Sequence, residues 1–94
     1  MTRKQAQHLQ MPTPHLVKVY LAVKESKNWL SANQIAKLTG VSVHTVGRQV
    51  RLLSKQGVFE RVEYFPSYLY RLSDNSSGIE YTAELEKARE ILEL

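Results

Sequence analysis

Residues 31–56 constrain the fold of this chain more than any other stretch, because their capping residues mark where two helices begin and end. Ser31, followed three residues later by a glutamine, has the spacing of a capping box and predicts a helix start. Gly40 is suited to end that helix in a left-handed conformation. Ser42 can cap the next helix, which we predict over residues 43–56. The stretch therefore predicts two helices joined by a three-residue turn.

The predicted helix 43–56 has two chemically different faces. At about 100° per residue, Val46, Val50 and Leu53 fall on one side and form an apolar stripe. The opposite side, called here the basic face, carries His44, Arg48, Arg51 and Lys55. Arginine can pair bidentately with guanine, and histidine can donate or accept a hydrogen bond at a base edge. We therefore expect this helix to bury its apolar stripe and to place its basic face in the major groove of double-stranded DNA.

The flanking segments predict the rest of the architecture. Thr13 and Pro14 indicate the start of an earlier helix, and Trp29-Leu30 is a short apolar pair that predicts a brief strand. Two runs rich in β-branched and aromatic residues, 58–62 and 68–72, enclose a turn signal and predict a hairpin. We predict three parts: a flexible N-terminal arm (1–12), a domain (13–73) and a C-terminal helix (79–94).

The C-terminal helix carries a narrow apolar stripe. This C-terminal stripe consists of Tyr81, Leu85, Ala88 and Leu92, at four-three-four spacing. Such spacing is typical of paired helices, so we predict that the stripe forms a homodimer interface. The alternative is that the stripe packs on the first helix of its own chain and completes the monomer core.

Charge is unevenly distributed along the chain. Residues 1–55 carry nine Lys and Arg against one acid, whereas residues 56–94 carry four against eight. A basic front half suggests an anionic partner, although a solvated surface with chance asymmetry explains the composition equally well.

Several function classes find no support in the sequence. The chain has no cysteine, and its histidines do not have the spacing of metal ligands. We find no Ser/His/Asp set, no paired carboxylates and no phosphate-binding glycine loop, and therefore expect neither an enzyme nor a cofactor. Without an apolar run of spanning length or a secretory h-region, the default expectation is a cytoplasmic protein.

Residues 36–48 read A-x-x-x-G-V-S-x-x-T-V-x-R, a pattern that resembles the helix-turn-helix of bacterial repressors, including the lac repressor family. The resemblance implies that Val43, His44 and Arg48 read bases and that Ser42 and Thr45 hold phosphates. The complete set of residues expected to contact DNA is Ser31, Ser42, Val43, His44, Thr45, Arg48, Arg51 and Lys55. Val43 differs from side chains that read bases through hydrogen bonds, because an aliphatic side chain can only contact a thymine methyl group or exclude water.

The segments 52–58 and 70–72 are more similar to winged-helix regulators. This similarity spans roughly residues 14–73. It implies an α+β, mainly α, winged helix-turn-helix fold and sequence-specific DNA binding in transcriptional regulation. A replication, partition, phage or plasmid accessory factor would need the same DNA-binding surface.

In many winged helix-turn-helix proteins the hairpin, called the wing, carries Arg or Lys at its tip to contact the minor groove. The hairpin tip of this chain is different. It reads Glu63-Tyr64-Phe65-Pro66-Ser67, and Tyr68 follows. The aromatic residues could cover the core, wedge into DNA steps or form a protein-binding patch. We favour core or partner contact, with Tyr64, Phe65 and Tyr68 as the partner-binding residues. The alternative function is therefore a winged helix that binds protein through this hairpin.

Overall fold

A computed structural model describes residues 12–74 and 78–94. Most of the predicted N-terminal arm, residues 1–11, lies outside the described residues, as do residues 75–77 between the predicted domain and the predicted C-terminal helix. The elements in chain order are α1 (Pro14–Glu25), β1 (Leu30–Ser31), α2 (Ala32–Thr39), α3 (Val43–Lys55), β2 (Phe59–Tyr64), β3 (Ser67–Leu72) and α4 (Ile79–Leu92). Helices α2 and α3 with the short connection between them form the predicted helix-turn-helix.

The helix boundaries follow from local capping chemistry. The Thr13 hydroxyl accepts the Leu16 N–H at 3.2 Å and caps α1. At the start of α2, Ser31 and Gln34 form both hydrogen bonds of a capping box. Gly40 ends α2 with φ at +77°, a left-handed conformation that glycine adopts without steric cost. These bonds satisfy backbone groups that a helix end would otherwise leave unpaired.

The three strands form an antiparallel sheet in the order β1-β3-β2. Strand β1 pairs Leu30 with Tyr70, and β2 pairs with β3 along its full length as the hairpin. The hairpin strands extend further towards the tip than predicted, and only Phe65-Pro66 is left as the turn. Cross-strand hydrogen bonding favours this extension, because every additional pair satisfies backbone groups of both strands. The predicted α+β, mainly α, winged helix-turn-helix fold is confirmed.

The core lies between the helices and the base of the hairpin. Its fully buried side chains come from α1, α2, α3 and α4, and include Tyr20, Ile35, Leu53 and Leu85. The hairpin contributes Phe59 and Tyr70, which are also buried. All of the larger elements therefore contribute to one apolar cluster.

Helix α4 uses its apolar residues within its own chain. Leu85 is 0% exposed and Ala88 is 1% exposed, while Tyr81 and Leu92 pack partly buried against the same core. The helix packs on α1, which is the arrangement of the alternative in which the C-terminal stripe completes the monomer core. The predicted dimer interface on this stripe therefore needs correction: α1 already covers Leu85 and Ala88, so neither is available to a second copy.

A polar cluster reinforces the packing of α4 on α1. Glu86 accepts hydrogen bonds from the Tyr20 hydroxyl at 2.5 Å and from Lys24 Nζ at 2.6 Å. Arg89 Nη1 lies 3.5 Å from the other carboxylate oxygen. Burial and the bond to Glu86 raise the pKa of Tyr20, while the bonds from Lys24 and Tyr20 lower the pKa of Glu86. The cluster therefore favours a neutral tyrosine beside an ionised carboxylate.

Candidate nucleic-acid interface

Helix α3 presents the two faces that its sequence predicts. Val46, Val50 and Leu53 are each at most 1% exposed and join the core. The four residues of the basic face are all exposed on the opposite side. The fold therefore anchors α3 by its apolar stripe and leaves its basic side chains free to contact a ligand.

The N-terminus of α3 combines a hydroxyl pair with an exposed aliphatic residue. Ser42 Oγ accepts the Thr45 N–H at 3.3 Å and donates to Thr45 Oγ1 at 3.1 Å. Val43 begins the helix with a side chain that is half exposed. The first turn also has backbone N–H groups without partners inside the helix, which favour an anion at this end. The predicted roles of these three residues in DNA contact stay predictions.

Ser31 lies apart from the other residues predicted to contact DNA, in β1 at the position that caps α2. Its backbone N–H donates to Gln34 Oε1 at 2.8 Å, and its hydroxyl accepts the Gln34 N–H at 3.2 Å. These bonds define the start of α2 and give Ser31 a structural role. Its predicted contact with DNA stays a prediction.

The basic face has no acidic partner among the residues that the structure describes. The ion pairs in this part of the chain are Lys24–Glu86, Arg71–Glu60 and Arg89–Glu86. None of them involves α3. Because like charges on neighbouring helical turns repel each other, an unpaired basic stripe is stabilised when a polyanion neutralises it.

The aromatic residues at the hairpin tip do not cover the core. Phe65 is 87% exposed, Tyr64 is 69% exposed and Tyr68 is 40% exposed. Tyr70, nearer the hairpin base, is the β3 aromatic residue that reaches the core. The expectation that the tip aromatics contact the core is therefore wrong, because the hairpin extends past the helices before it turns. The remaining alternatives for these aromatic residues are insertion between DNA base steps and contact with a protein partner.

A cleft between α3 and β2 adds Arg61, a candidate functional residue that sequence reasoning missed, to Arg51 and Lys55 of the basic face. This cationic cleft has a volume of about 380 Å³ and is lined by Arg51, Ser54, Lys55, Phe59 and Arg61. Arg61 lies two residues after the buried Phe59, so strand alternation places both on the same face of the sheet. That alternation is the sequence signal that could have identified Arg61.

The described part of the chain offers neither a membrane-spanning helix nor a cluster of metal ligands. Between residues 12 and 74 and from 78 onward, no helix is both long enough and apolar enough for a bilayer span. The same segments contain no group of three His, Asp or Glu side chains arranged to hold a metal ion.

The chain matches no protein-family model and no curated protein sequence. Solved structures do resemble it. A predicted DNA-binding transcriptional regulator from E. coli aligns with a TM-score of 0.62 and 16% identity over 85% of each chain. The PcaV transcriptional regulator from Streptomyces coelicolor, solved with its natural ligand, aligns at 0.63 and 17%, over 95% of this chain and 71% of that one.

A third structure, RV1404 from Mycobacterium tuberculosis, gives a TM-score of 0.60 at 19% identity, over 95% of this chain and 65% of the other. At such identities the likeness concerns the fold. Two of the three structures are described as transcriptional regulators, and the chain is similar to them in fold.

Proposed function

We propose that this chain binds double-stranded DNA in a sequence-specific manner and regulates transcription. In this proposal α3 enters the major groove, Arg48 and His44 contact base edges, and Ser42 and Thr45 contact phosphates. The observation that carries the proposal is the exposed basic face of α3, which has no acidic partner within the described residues and lies opposite a fully buried apolar stripe. The fold likeness to transcriptional regulators supports the same function.

The position of each cation along α3 predicts its role. Arg48 lies in the first half of the helix, where side chains reach the floor of the groove. Lys55 is seven residues further on, about 10 Å along the helix axis, and is exposed at its last turn. We expect Arg48 to contribute to sequence preference and Lys55 to contact the phosphate backbone.

The test begins with salt-dependent binding to random-sequence duplexes, followed by selection of preferred sites. Arg48→Ala should weaken binding to the selected site by about 1–3 kcal/mol and relax the preference at one base position. Lys55→Ala should weaken binding to all duplexes similarly. It should also lower by about one unit the magnitude of the slope of log K against log salt concentration, called here the salt slope. Lys87→Ala, at an exposed position on α4, is the matched control and should bind as the unsubstituted chain does.

Two results would contradict the assignment. Unchanged affinity and site preference in Arg48→Ala would remove Arg48 from base recognition. Absence of duplex binding by the intact chain, even at low salt, would refute DNA binding as its function.

The second candidate function is protein binding through the hairpin tip. The exposure of Tyr64 and Phe65 favours it, because large apolar side chains exposed together commonly mark an interaction site. A Tyr64→Ser, Phe65→Ser variant discriminates the two uses of the tip. Duplex affinity equal to that of the intact chain would leave the tip free for a protein, whereas a reduced affinity would indicate contact with DNA.

A homodimer is a further proposal, because two copies would present two α3 helices to successive major grooves. Since α1 covers Leu85 and Ala88, a second copy would have to contact other residues. Ile91 and Leu94 are exposed aliphatic side chains at the C-terminal end of α4 and just beyond it. Sedimentation of the intact chain at high micromolar concentration tests the proposal, and a monomer mass would exclude it.

A further inference from the structure

The cationic cleft has a charge composition that distinguishes it from the rest of the hairpin surface. Three of its five lining residues are the cations Arg51, Lys55 and Arg61, and none is acidic. Glu63, the next residue towards the tip on the face that Arg61 occupies, does not line the cleft. In the described part of the chain, none of the three cations has an ion-pair partner. The cleft therefore concentrates positive charge from two different elements.

The two arginines of the hairpin are held in different ways. The Arg61 guanidinium carbon lies 4.4 Å from the centroid of the Tyr68 ring, a cation–π contact that fixes the side chain and leaves its charge uncompensated. Arg71 instead donates from Nε to Glu60 at 3.0 Å and stacks on Trp29 at 4.6 Å. Strand register puts Arg61 and Arg71 on opposite faces of the sheet, because Arg71 pairs with Glu60. The cleft thus receives the arginine whose charge is unpaired.

The wall of the cleft also includes an unsatisfied polar group. The Ser54 hydroxyl oxygen is buried and has no hydrogen-bond partner within the described residues. Burying a hydroxyl without a partner is costly, and Ser54 is one of the residues that line the cleft. A ligand with acceptor oxygens would neutralise the three cations beside it.

We propose that the cationic cleft is a phosphate-binding site, in which Arg61 contributes a cation from β2, outside the helix-turn-helix. The inference rests on the proposed function, in which the phosphate belongs to the DNA backbone. In the proposed complex, with α3 in the major groove, the cleft at the C-terminal end of α3 lies beside the backbone that borders this groove. The proposal places a phosphate of that backbone between α3 and β2. Phosphate contacts of this kind fix the register of α3 and carry no sequence information.

The experiment compares three variants on a random-sequence duplex and on the selected site. Arg61→Gln removes the charged guanidinium group, including its contact with the Tyr68 ring, and retains part of the aliphatic stem. It should lower the salt slope by about 0.9, so that the affinity ratio to the unsubstituted chain changes about three- to fourfold between 50 and 200 mM salt. Site preference should be unchanged. Arg61→Lys should restore the slope, and Arg71→Gln, the matched control on the opposite face, should leave it as it is.

A second measurement does not depend on DNA. Inorganic phosphate is titrated into the intact chain, and the backbone amide signals of Ser54 and Arg61 are followed by NMR. We expect shifts that saturate and that are lost in Arg61→Gln, whose fold is verified by circular dichroism.

The two measurements separate the possible failures. An unchanged salt slope in Arg61→Gln, or an equal decrease of the slope in Arg71→Gln, would overturn the proposed phosphate-binding site while leaving DNA binding intact. If the intact chain binds no duplex, the proposed function fails and the phosphate titration alone decides. Absence of saturable shifts of the amide signals would then refute the phosphate-binding site.

Discussion

Substitution of Leu85 tests whether α4 belongs to the monomer core. Its side chain is fully buried, so Leu85→Ala removes three carbons from the core, at about 0.8 kcal/mol each. The cavity left behind adds to this loss, and we expect about 3–4 kcal/mol in total. A chain of this length has a free energy of unfolding of about 5–14 kcal/mol, so the substitution should remove a large share of it.

The measurement is urea unfolding at several protein concentrations. For a monomer core, the midpoint of the unsubstituted chain is independent of concentration, and Leu85→Ala lowers it at every concentration. Ile79→Ala is the matched control on the same helix; because Ile79 is 62% exposed, we expect a loss below about 0.5 kcal/mol. A loss below about 1 kcal/mol in Leu85→Ala would refute the reasoning. A midpoint that rises with concentration only when Leu85 is present would assign this residue to a dimer interface instead.

Three further substitutions have expected outcomes in the same unfolding assay. The hydrogen bond from Lys24 is the main reason that the pKa of Glu86 is lower in the folded chain than in the unfolded one. The stabilisation of the folded chain by ionised Glu86 is therefore present above about pH 4.5 and is lost as pH falls through the folded pKa. Glu86→Gln should cost about 1 kcal/mol at pH 7, a figure reduced for the partial exposure of the pair, and a cost that persists undiminished at pH 3 would contradict this. Gly78→Ala should cost about 1–3 kcal/mol, because the added Cβ would lie 2.6 Å from the Gly57 backbone. Gly47→Ala meets open space in the middle of α3 and should raise stability by about 0.5–1 kcal/mol; destabilisation would be the contrary result.

Local signals were sufficient to predict the helix-turn-helix. Ser31, Gly40 and Ser42 act through bonds to residues within a few positions, so their effect is readable without tertiary information. The two faces of α3 were predictable for a similar reason, since helical periodicity alone separates the buried stripe from the basic face. The short strand was predicted one residue early, because pairing with β3 rather than local propensity sets its bounds.

Features that depend on the arrangement of several elements could not be predicted in the same way. A four-three-four spacing is compatible with a partner helix in the same chain or in a second copy, and the covering of Leu85 by α1 decides between them. Aromatic residues at a hairpin tip suit either core or surface, and the length of the hairpin decides that Phe65 is exposed. Arg61 gained its significance only when β2 was placed beside the last turns of α3.

The placement of β2 also bears on how specificity and affinity are divided in the proposed complex. Arg48 is exposed on the central part of α3, whereas Arg51, Lys55 and Arg61 gather in the cleft at its C-terminal end. Base readout then depends on His44 and Arg48 in the first half of α3. Phosphate anchoring depends on Ser42 and Thr45 at its start, and on its second half together with the hairpin. Both halves share one rigid support, since Val46, Val50 and Leu53 bury the opposite side of the same helix. A change that tilted α3 relative to β2 would therefore alter register and affinity together, although it touched neither group of contact residues.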